Sequence, residues 1–242
     1  MKSNLASNHT TTNARAAILT SIRDHLAESA LHEHSAEDRK SERAAENQRS
    51  SIAPASPGRD VSPVEMFRQK LEMVGGHCNV ARDEAEAARS LSRIVAEIQT
   101  TPLRGKRIAL SDAPTVSRLM KAAEVEVDAL ATSPNAADLF DYDVGVTTAQ
   151  AAIAETGTLV LESESERHRL VSLLPPVHIA IVNAEDICRT LGDALRYVRR
   201  DEQSGLSRAI TFITGPSRTA DIELTLTIGV HGPKELYVIV CM

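Results

Sequence analysis

The chain is organised around two short stretches that place glycine, hydroxyl groups and charge beside strongly apolar runs. Residues 154–161 read Ala-Glu-Thr-Gly-Thr-Leu-Val-Leu, and residues 214–223 read Thr-Gly-Pro-Ser-Arg-Thr-Ala-Asp-Ile-Glu. Gly157 begins one strand-like run, and Gly215 follows another over 209–214. Because glycine has no Cβ, backbone amides at such strand ends can turn towards a ligand.

Both stretches carry side chains suited to a polar ligand, and we expect them to meet in one anion-binding site. Arg218 supplies a fixed positive charge, and the hydroxyl groups can donate and accept hydrogen bonds. The alternative interpretation is two ordinary polar turns. The remaining polar side chains of the two stretches are Glu155, Thr156, Thr158, Ser217, Thr219, Asp221 and Glu223.

The composition predicts an aliphatic core and an acidic surface. The chain has 242 residues, of which 42% are hydrophobic but only 2% aromatic, and its net charge is −6. Nucleic-acid binding needs a basic surface and, for single strands, aromatic side chains on which bases stack. The composition provides neither, so we expect no nucleic-acid partner.

The cysteine pattern argues against a metal or a redox cofactor in this chain. Cys78, Cys188 and Cys241 are widely separated, and no Cys-x-x-Cys pair occurs. This spacing matches no zinc, thioredoxin or iron–sulfur ligand pattern. Residues 1–30 contain no apolar signal region, and no stretch reaches the roughly eighteen apolar residues of a membrane span. We therefore expect a cytoplasmic protein with reduced thiols.

Hydrophobic periodicity divides the chain into three parts. Apolar residues at helical spacing predict an N-terminal helix over 13–31. Residues 32–61 hold few large apolar side chains and many Glu, Arg and Ser residues, which predicts a disordered polar linker. The folded domain is expected over 62–242, where Ser62, Pro63 and Glu65 form a helix-capping pattern.

Helical and strand-like segments alternate along this domain. The pattern predicts a mostly parallel sheet covered on both faces, because several strands are apolar throughout. Residues 221–230 favour extended chain, with a helical turn after Ser217 as the competitor. Helices are predicted over 63–74, 83–100, 114–123, 147–155 and 185–200, and strands over 107–110, 125–130, 144–146, 158–161, 177–183, 208–214 and 236–241.

Several common catalytic motifs do not occur, which leaves only single candidate residues outside the two stretches. The sequence contains no Gly-x-Gly-x-x-Gly, Walker loop, Gly-x-Ser-x-Gly or His-Glu-x-x-His. His231 in a glycine-proline turn is a candidate general base. Arg169 belongs to a basic cluster that either faces a carboxylate or phosphate or is a solvated loop. His178 lies in an apolar strand and is interpreted as a satisfied core histidine.

Five motifs occur in order along the domain: Asp143-x-Gly145-Val-Thr147-x-Ala149, Ala154-Glu-Thr-Gly-Thr158, Arg169-x-x-Ser172-Leu-Leu-Pro175-x-x-His178-Ile179, Gly215-Pro-Ser-Arg-Thr-Ala-Asp-Ile-Glu223 and Gly229-Val-His-Gly-Pro233. Together they resemble the LUD domain family over about 62–242. The resemblance implies an α/β fold with three α/β/α layers, similar to the superfamily of ribose-5-phosphate isomerase, glucosamine-6-phosphate deaminase and CoA transferases. The helix predicted over 13–31 would be an N-terminal helical extension of this domain. It also implies a role in oxidising L-lactate to pyruvate alongside iron–sulfur partner proteins.

Lactate oxidation releases two electrons, and side chains without a cofactor cannot accept them. We therefore expect an accessory, non-redox protein that binds a small anionic metabolite, while iron–sulfur clusters in partner proteins take the electrons. The expected ligand-binding residues are Thr147, Thr156, Gly157, Thr158, Arg169, Gly215, Ser217, Arg218, Thr219, Asp221 and His231.

Two alternatives remain at the level of sequence. One is a stand-alone isomerase or acyl-transfer enzyme with Glu155 or Glu223 as nucleophile or base, because a carboxylate can form an acyl intermediate. The other is a structural scaffold without a ligand, since a fold by itself does not define a function.

Overall fold

A computed structural model of the chain describes residues 20–21, 23, 61–163, 169–198, 209–220, 226–229 and 231–242. The chain divides into two compact units, Met1–Arg59 and Asp60–Met242. In the first unit Thr20, Ser21 and Arg23 are helical. The rest of the helix predicted over 13–31 lies outside the described residues, as does the predicted linker except for Val61.

The described part of the second unit contains four α-helices. Ser62 caps the first, because its Oγ accepts a hydrogen bond from the Glu65 amide at 3.2 Å. Asp83 caps the second in the same way through the Glu86 amide at 2.7 Å. Three helices agree with the predicted segments, whereas the helix predicted over 185–200 begins only at Leu191, because Ile187 and Cys188 form a strand. The helices are α1 (Pro63–Met73), α2 (Glu84–Gln99), α3 (Pro114–Ala123) and α4 (Leu191–Val198).

The same part of the chain contains twelve strands. They are β1 (His77–Ala81), β2 (Arg107–Leu110), β3 (Ala129–Thr132), β4 (Val144–Thr148), β5 (Ala151–Ile153), β6 (Thr158–Glu162), β7 (Val177–Asn183), β8 (Ile187–Cys188), β9 (Ile210–Ile213), β10 (Arg218–Ala220), β11 (Leu226–Ile228) and β12 (Glu235–Cys241).

Six of these strands form the main sheet, in the order β1-β12-β7-β4-β2-β3. Every neighbouring pair in it is parallel. The predicted mostly parallel sheet is therefore confirmed. β7 and β12 lie in the interior of the sheet and are buried along most of their length, which explains their continuous apolar sequences.

A second sheet has the order β8-β5-β6-β9, and it overturns one prediction. The alanine-rich helix predicted over 147–155 is wrong, because residues 151–153 form strand β5. Ala151 pairs with Val160 of β6, and Ala152 pairs with Ile187 of β8. Pairing on both edges and full burial outweigh the helical preference of alanine in this segment.

Three smaller differences between the predicted and the observed elements follow from strand pairing. The strand predicted over 125–130 begins later, because Ala129 is the residue that pairs with Arg107 of β2. β1 was not predicted, since this edge strand has a mixed pattern of exposed and buried residues. Part of the extended chain favoured for 221–230 is present as β11, which pairs with β10 in a short antiparallel ladder, whereas residues 221–225 and 230 lie outside the description.

Two hydrophobic layers cover the main sheet. One face packs against α2 and α3 through residues such as Leu91 and Leu119. The other face packs against α1 and the second sheet, where Phe67, Leu71 and Leu159 belong to one buried cluster. α4 covers the second sheet through Ala194. Helices therefore lie on both sides of a mostly parallel sheet, which confirms the predicted α/β class.

Candidate functional site

The two stretches that organise the sequence come into contact through the second sheet. β6 and β9 are antiparallel neighbours, with Leu159 opposite Ile213. At the end of this ladder, Thr158 Oγ1 lies 2.8 Å from Thr214 Oγ1. Thr156 Oγ1 lies 2.7 Å from Thr158 Oγ1 on the other side. A chain of three hydroxyl groups thus links the two stretches, and its members Thr158 and Thr214 are 56 positions apart.

Both stretches pack against the C-terminal end of α1. Gly157 and Gly215 have φ values of +67° and +75°, which favour glycine. A Cβ on Gly157 would lie 2.7 Å from the Leu71 Cα, and one on Gly215 would lie 2.7 Å from the Val74 carbonyl oxygen. Arg218 Nη2 donates a 2.7 Å hydrogen bond to the same Val74 oxygen. A cation at this helix end also interacts favourably with the helix dipole.

A cavity of about 320 Å³ lies beside these contacts, at the amino ends of β7 and β12. We call it the amino-end cavity. Its apolar lining includes Leu173, Phe212 and Leu236. No carboxylate is found among the described residues that line it. The polar side chains of its lining are Ser172, His178, Thr211, Thr214, Ser217, Arg218 and His231.

Exposure separates a buried wall of this cavity from an exposed rim. Ser172 and His178 are both 0% exposed and form part of the wall. Arg218, Thr214 and His231 are exposed and form part of the rim. Positive charge is therefore available where a ligand enters, and neutral hydrogen-bonding groups are available deeper inside.

Backbone hydrogen bonds hold the two loops of the rim together. The Ser217 amide donates to the Pro233 carbonyl at 2.8 Å, and the Gly229 amide donates to the Ser217 carbonyl at 2.9 Å. The Gly157 amide donates to the Ile153 carbonyl at 2.9 Å. The amides of Gly157 and Ser217, which we expected to face a ligand, are thus engaged within the protein. Side chains supply the polar groups of this cavity instead.

His178 and Thr147 form a buried polar pair between neighbouring strands of the main sheet. His178 Nε2 lies 2.9 Å from Thr147 Oγ1, and both residues are almost fully buried. His178 Nδ1 has no hydrogen-bond partner among the described residues. Burial lowers the pKa of His178 to about 3, so the ring is neutral at pH 7. The interpretation as a core histidine is right about burial, but only one of its two nitrogens is satisfied by the described residues.

Four of the predicted ligand-binding residues line the amino-end cavity: Gly215, Ser217, Arg218 and His231. Other predicted residues contact residues that line this cavity, or lie elsewhere. Thr147 contacts the cavity residue His178, and Thr158 contacts the cavity residue Thr214. The residues that do not line it are Thr156, Gly157, Thr219 and Arg169, whose carbonyl oxygen accepts a hydrogen bond from Ser172.

The two carboxylates proposed as nucleophile or base are not found at this cavity in the described structure. Glu155 is exposed, and its Oε1 accepts a 2.9 Å hydrogen bond from the Leu191 amide at the start of α4. This geometry is that of a helix-capping residue. Glu223 and the expected ligand residue Asp221 lie outside the described residues.

A second cavity of about 750 Å³ lies at the opposite ends of the parallel strands. This carboxyl-end cavity includes Asp112 after β2, Thr148 at the end of β4 and Asn183 at the end of β7. Sequence analysis did not identify these residues, although polar residues directly after buried strands are a usable signal. Asp112, Glu162 and Asp186 make its described lining acidic. An anion is therefore better matched to the amino-end cavity.

The described residues contain no group of three or more His, Cys, Asp or Glu side chains arranged to hold a metal ion. Burial raises the pKa of the Cys78 thiol to about 12 and also raises that of Cys241. Among the helices described, none is long and apolar enough to span a bilayer.

These features define an α/β domain with a covered, mostly parallel sheet and a polar cavity at the amino ends of two central strands. The chain belongs to the LUD domain family, which it matches over residues 64–241.

Several relatives share this similarity. The chain is 43% identical over 100 residues to Lactate utilization protein C of Shouchella clausii, covering 40% of this chain and 44% of that protein. It is 43% identical over 101 residues to Lactate utilization protein C of Bacillus subtilis, covering 40% and 42%. An uncharacterised protein of Neisseria meningitidis is 34% identical over 157 residues, or 64% of each chain. The chain thus spans less than half the length of the named relatives that it matches.

A solved structure supports the fold. The crystal structure of a DUF162 family protein from Deinococcus radiodurans matches with a TM-score of 0.54 and 22% identity. The match covers 75% of this chain and 99% of that protein.

Proposed function

We propose that this protein serves lactate utilisation by binding a small organic anion, such as lactate or pyruvate, in the amino-end cavity. Relatives named Lactate utilization protein C support the metabolic role. The cavity supports the type of ligand, because Arg218, His231 and Ser217 line it while its described lining contains no carboxylate. This charge distribution is the observation on which the proposal depends.

In this proposal Arg218 is the main source of attraction. Its guanidinium carries five donors, of which one nitrogen is engaged with Val74. That hydrogen bond holds the side chain at the end of α1 and limits the rotamer entropy lost on binding. The Ser217 hydroxyl lies on the same rim and can donate to a carboxylate oxygen. His231 adds a further donor.

The proposal places the transfer of electrons outside this chain. Removing two electrons from lactate requires an acceptor, and iron–sulfur clusters in partner proteins are the acceptors that we propose. The present chain would then be a non-redox subunit that holds the acid or its product. Co-purification of the tagged full chain with the products of neighbouring genes tests this part. Lactate oxidation that needs this chain in addition to the partners supports it, and unchanged oxidation without the chain contradicts it.

Calorimetric titration of the full chain with L-lactate, pyruvate and inorganic phosphate tests the ligand. We expect Arg218→Ala to weaken binding of the organic acids by at least about tenfold, since charge-assisted hydrogen bonds contribute roughly 1.5–3 kcal/mol. Arg93→Ala is a matched control, because Arg93 lies on α2 and contacts Asn79 rather than the cavity. Equal weakening by both variants, or binding unaffected by Arg218→Ala, would contradict the proposed site.

A further inference from the structure

His178 is a buried polar residue, and packing alone does not explain why a polar side chain occupies this position. It lies on β7 beside Gly145 of β4, where apolar side chains fill most of the interior. Its Nε2 contacts Thr147, and its Nδ1 has no partner among the described residues. Leaving a buried polar atom unpaired is unfavourable. His178 also lines the amino-end cavity, while Nδ1 itself is covered in the described structure, so a ligand that displaces its neighbours slightly on binding can satisfy this nitrogen.

The charge of the His178 ring indicates what kind of ligand atom it can bind. A neutral imidazole has one donor nitrogen and one acceptor nitrogen, so it adds no net charge to the buried wall. It can therefore pair with a hydroxyl, which donates and accepts, or with a carbonyl oxygen if Nδ1 carries the proton. A neutral ring forms no ion pair with an anionic group, in contrast to Arg218 on the rim.

We propose that His178 Nδ1 forms a hydrogen bond with the oxygen at C2 of a bound 2-hydroxy or 2-oxo carboxylate, while the carboxylate lies at the rim beside Arg218. This inference rests on the proposed function and adds a rule of selectivity to it. The buried wall then distinguishes such acids from simple carboxylates that lack the C2 oxygen. Thr147 orients the ring by holding Nε2, so it acts as a positioning residue.

Three acids of similar size test the selectivity of the full chain by calorimetry. L-lactate and pyruvate carry the C2 oxygen, whereas propionate does not. We expect at least one of the first two to bind about tenfold more tightly than propionate, because propionate leaves Nδ1 unpaired. Equal affinity for all three acids would overturn this inference but leave the proposed function intact. Failure of the wild type to bind any of them would overturn both.

Two substitutions of His178 separate recognition from structural support. His178→Asn keeps a hydrogen-bonding group near the position of Nδ1, and His178→Gln keeps one near the position of Nε2. We expect His178→Gln to retain the contact with Thr147 and to lose the preference over propionate. His178→Asn should keep part of that preference. A preference retained in His178→Gln and lost in His178→Asn would contradict the assignment.

A measurement on the wild type remains decisive if either variant fails to fold. Long-range ¹⁵N correlation spectra report the protonation and tautomer of each histidine ring, and the chain has eight histidines. The signal of a neutral ring that persists from pH 7 to pH 5 identifies His178. We expect pyruvate or L-lactate to shift its Nδ1 resonance, with a smaller shift for propionate. A bound acid that leaves this resonance unchanged would overturn the inference.

Discussion

Replacing Gly157 with alanine should destabilise the domain, because this position is where the first polar stretch packs against α1. At φ +67° a residue with a Cβ is disfavoured by roughly 1–2 kcal/mol. The added methyl would also lie 2.6 Å from the Lys70 carbonyl carbon and 2.7 Å from the Leu71 Cα. These are backbone atoms that no rotamer change can move, and overpacking of this kind typically adds about 1–3 kcal/mol.

The two contributions together predict a loss of about 2–5 kcal/mol in the free energy of unfolding. For a domain of this size that loss corresponds to a decrease in Tm of roughly 4–20 °C. Gly192→Ala is the matched control, since its nearest neighbours would be the Arg196 Nη1 at 3.7 Å and the Thr190 Oγ1 at 3.8 Å. Urea and thermal unfolding followed by circular dichroism measure both variants. A Gly157→Ala variant within about 1 kcal/mol of the wild type would refute the packing argument.

Three further predictions follow from buried polar groups. Thr158→Val should lower the free energy of unfolding by about 1–2 kcal/mol, because it removes the hydroxyl that joins Thr156 to Thr214. A double-mutant cycle with Thr214→Val should give a non-zero coupling energy between the two hydroxyl groups. A coupling energy of zero would contradict their contact. His178 has a folded pKa below its unfolded value of about 6.5, so it stabilises the fold above that pH and this contribution is lost as pH falls towards 3. Below pH 6.5 the wild type should lose about 1.4 kcal/mol per pH unit more than His178→Asn in urea titrations, and parallel pH profiles would contradict the buried neutral ring. Burial raises the pKa of the Cys78 thiol to about 12. Cys78 should therefore react with a disulfide reagent at pH 8 on the order of 10³-fold more slowly than a free thiol, which peptide mapping can measure. Rapid labelling of Cys78 in the native protein would contradict its burial.

The parts of the fold that the sequence predicts well are those in which local signals agree with tertiary packing. Ser62 and Asp83 mark the starts of α1 and α2, because their side chains cap free amides of the first turn. The apolar runs of β7 and β12 predict burial on both faces, and these strands lie side by side within the main sheet. Such elements need no knowledge of distant residues.

The segments that the sequence does not predict depend on partners far along the chain. Residues 151–153 have the composition of a helix, but they form β5 because β6 and β8 pair with both of its edges. β1 mixes polar and apolar residues and becomes a strand through its pairing with β12, about 160 residues away. Tertiary pairing outweighs local preference in both cases.

The candidate site was predicted only in part for the same reason. Arg218, Ser217 and His231 carry recognisable chemistry, and the structure places them around one cavity. The role of His178 could not be inferred from its apolar neighbours in sequence, because the unpaired Nδ1 and the cavity arise only in three dimensions. The Gly157 amide is the opposite case, because the sequence suggests that it faces a ligand. In the structure it donates a hydrogen bond to the Ile153 carbonyl within a turn.

The most direct test of the central claim is a crystal structure of the full chain grown with pyruvate or L-lactate. We expect the acid in the amino-end cavity, with its carboxylate within hydrogen-bonding distance of Arg218 or Ser217. An acid bound in the acidic carboxyl-end cavity beside Asp112 and Asp186, with none at Arg218, would contradict it.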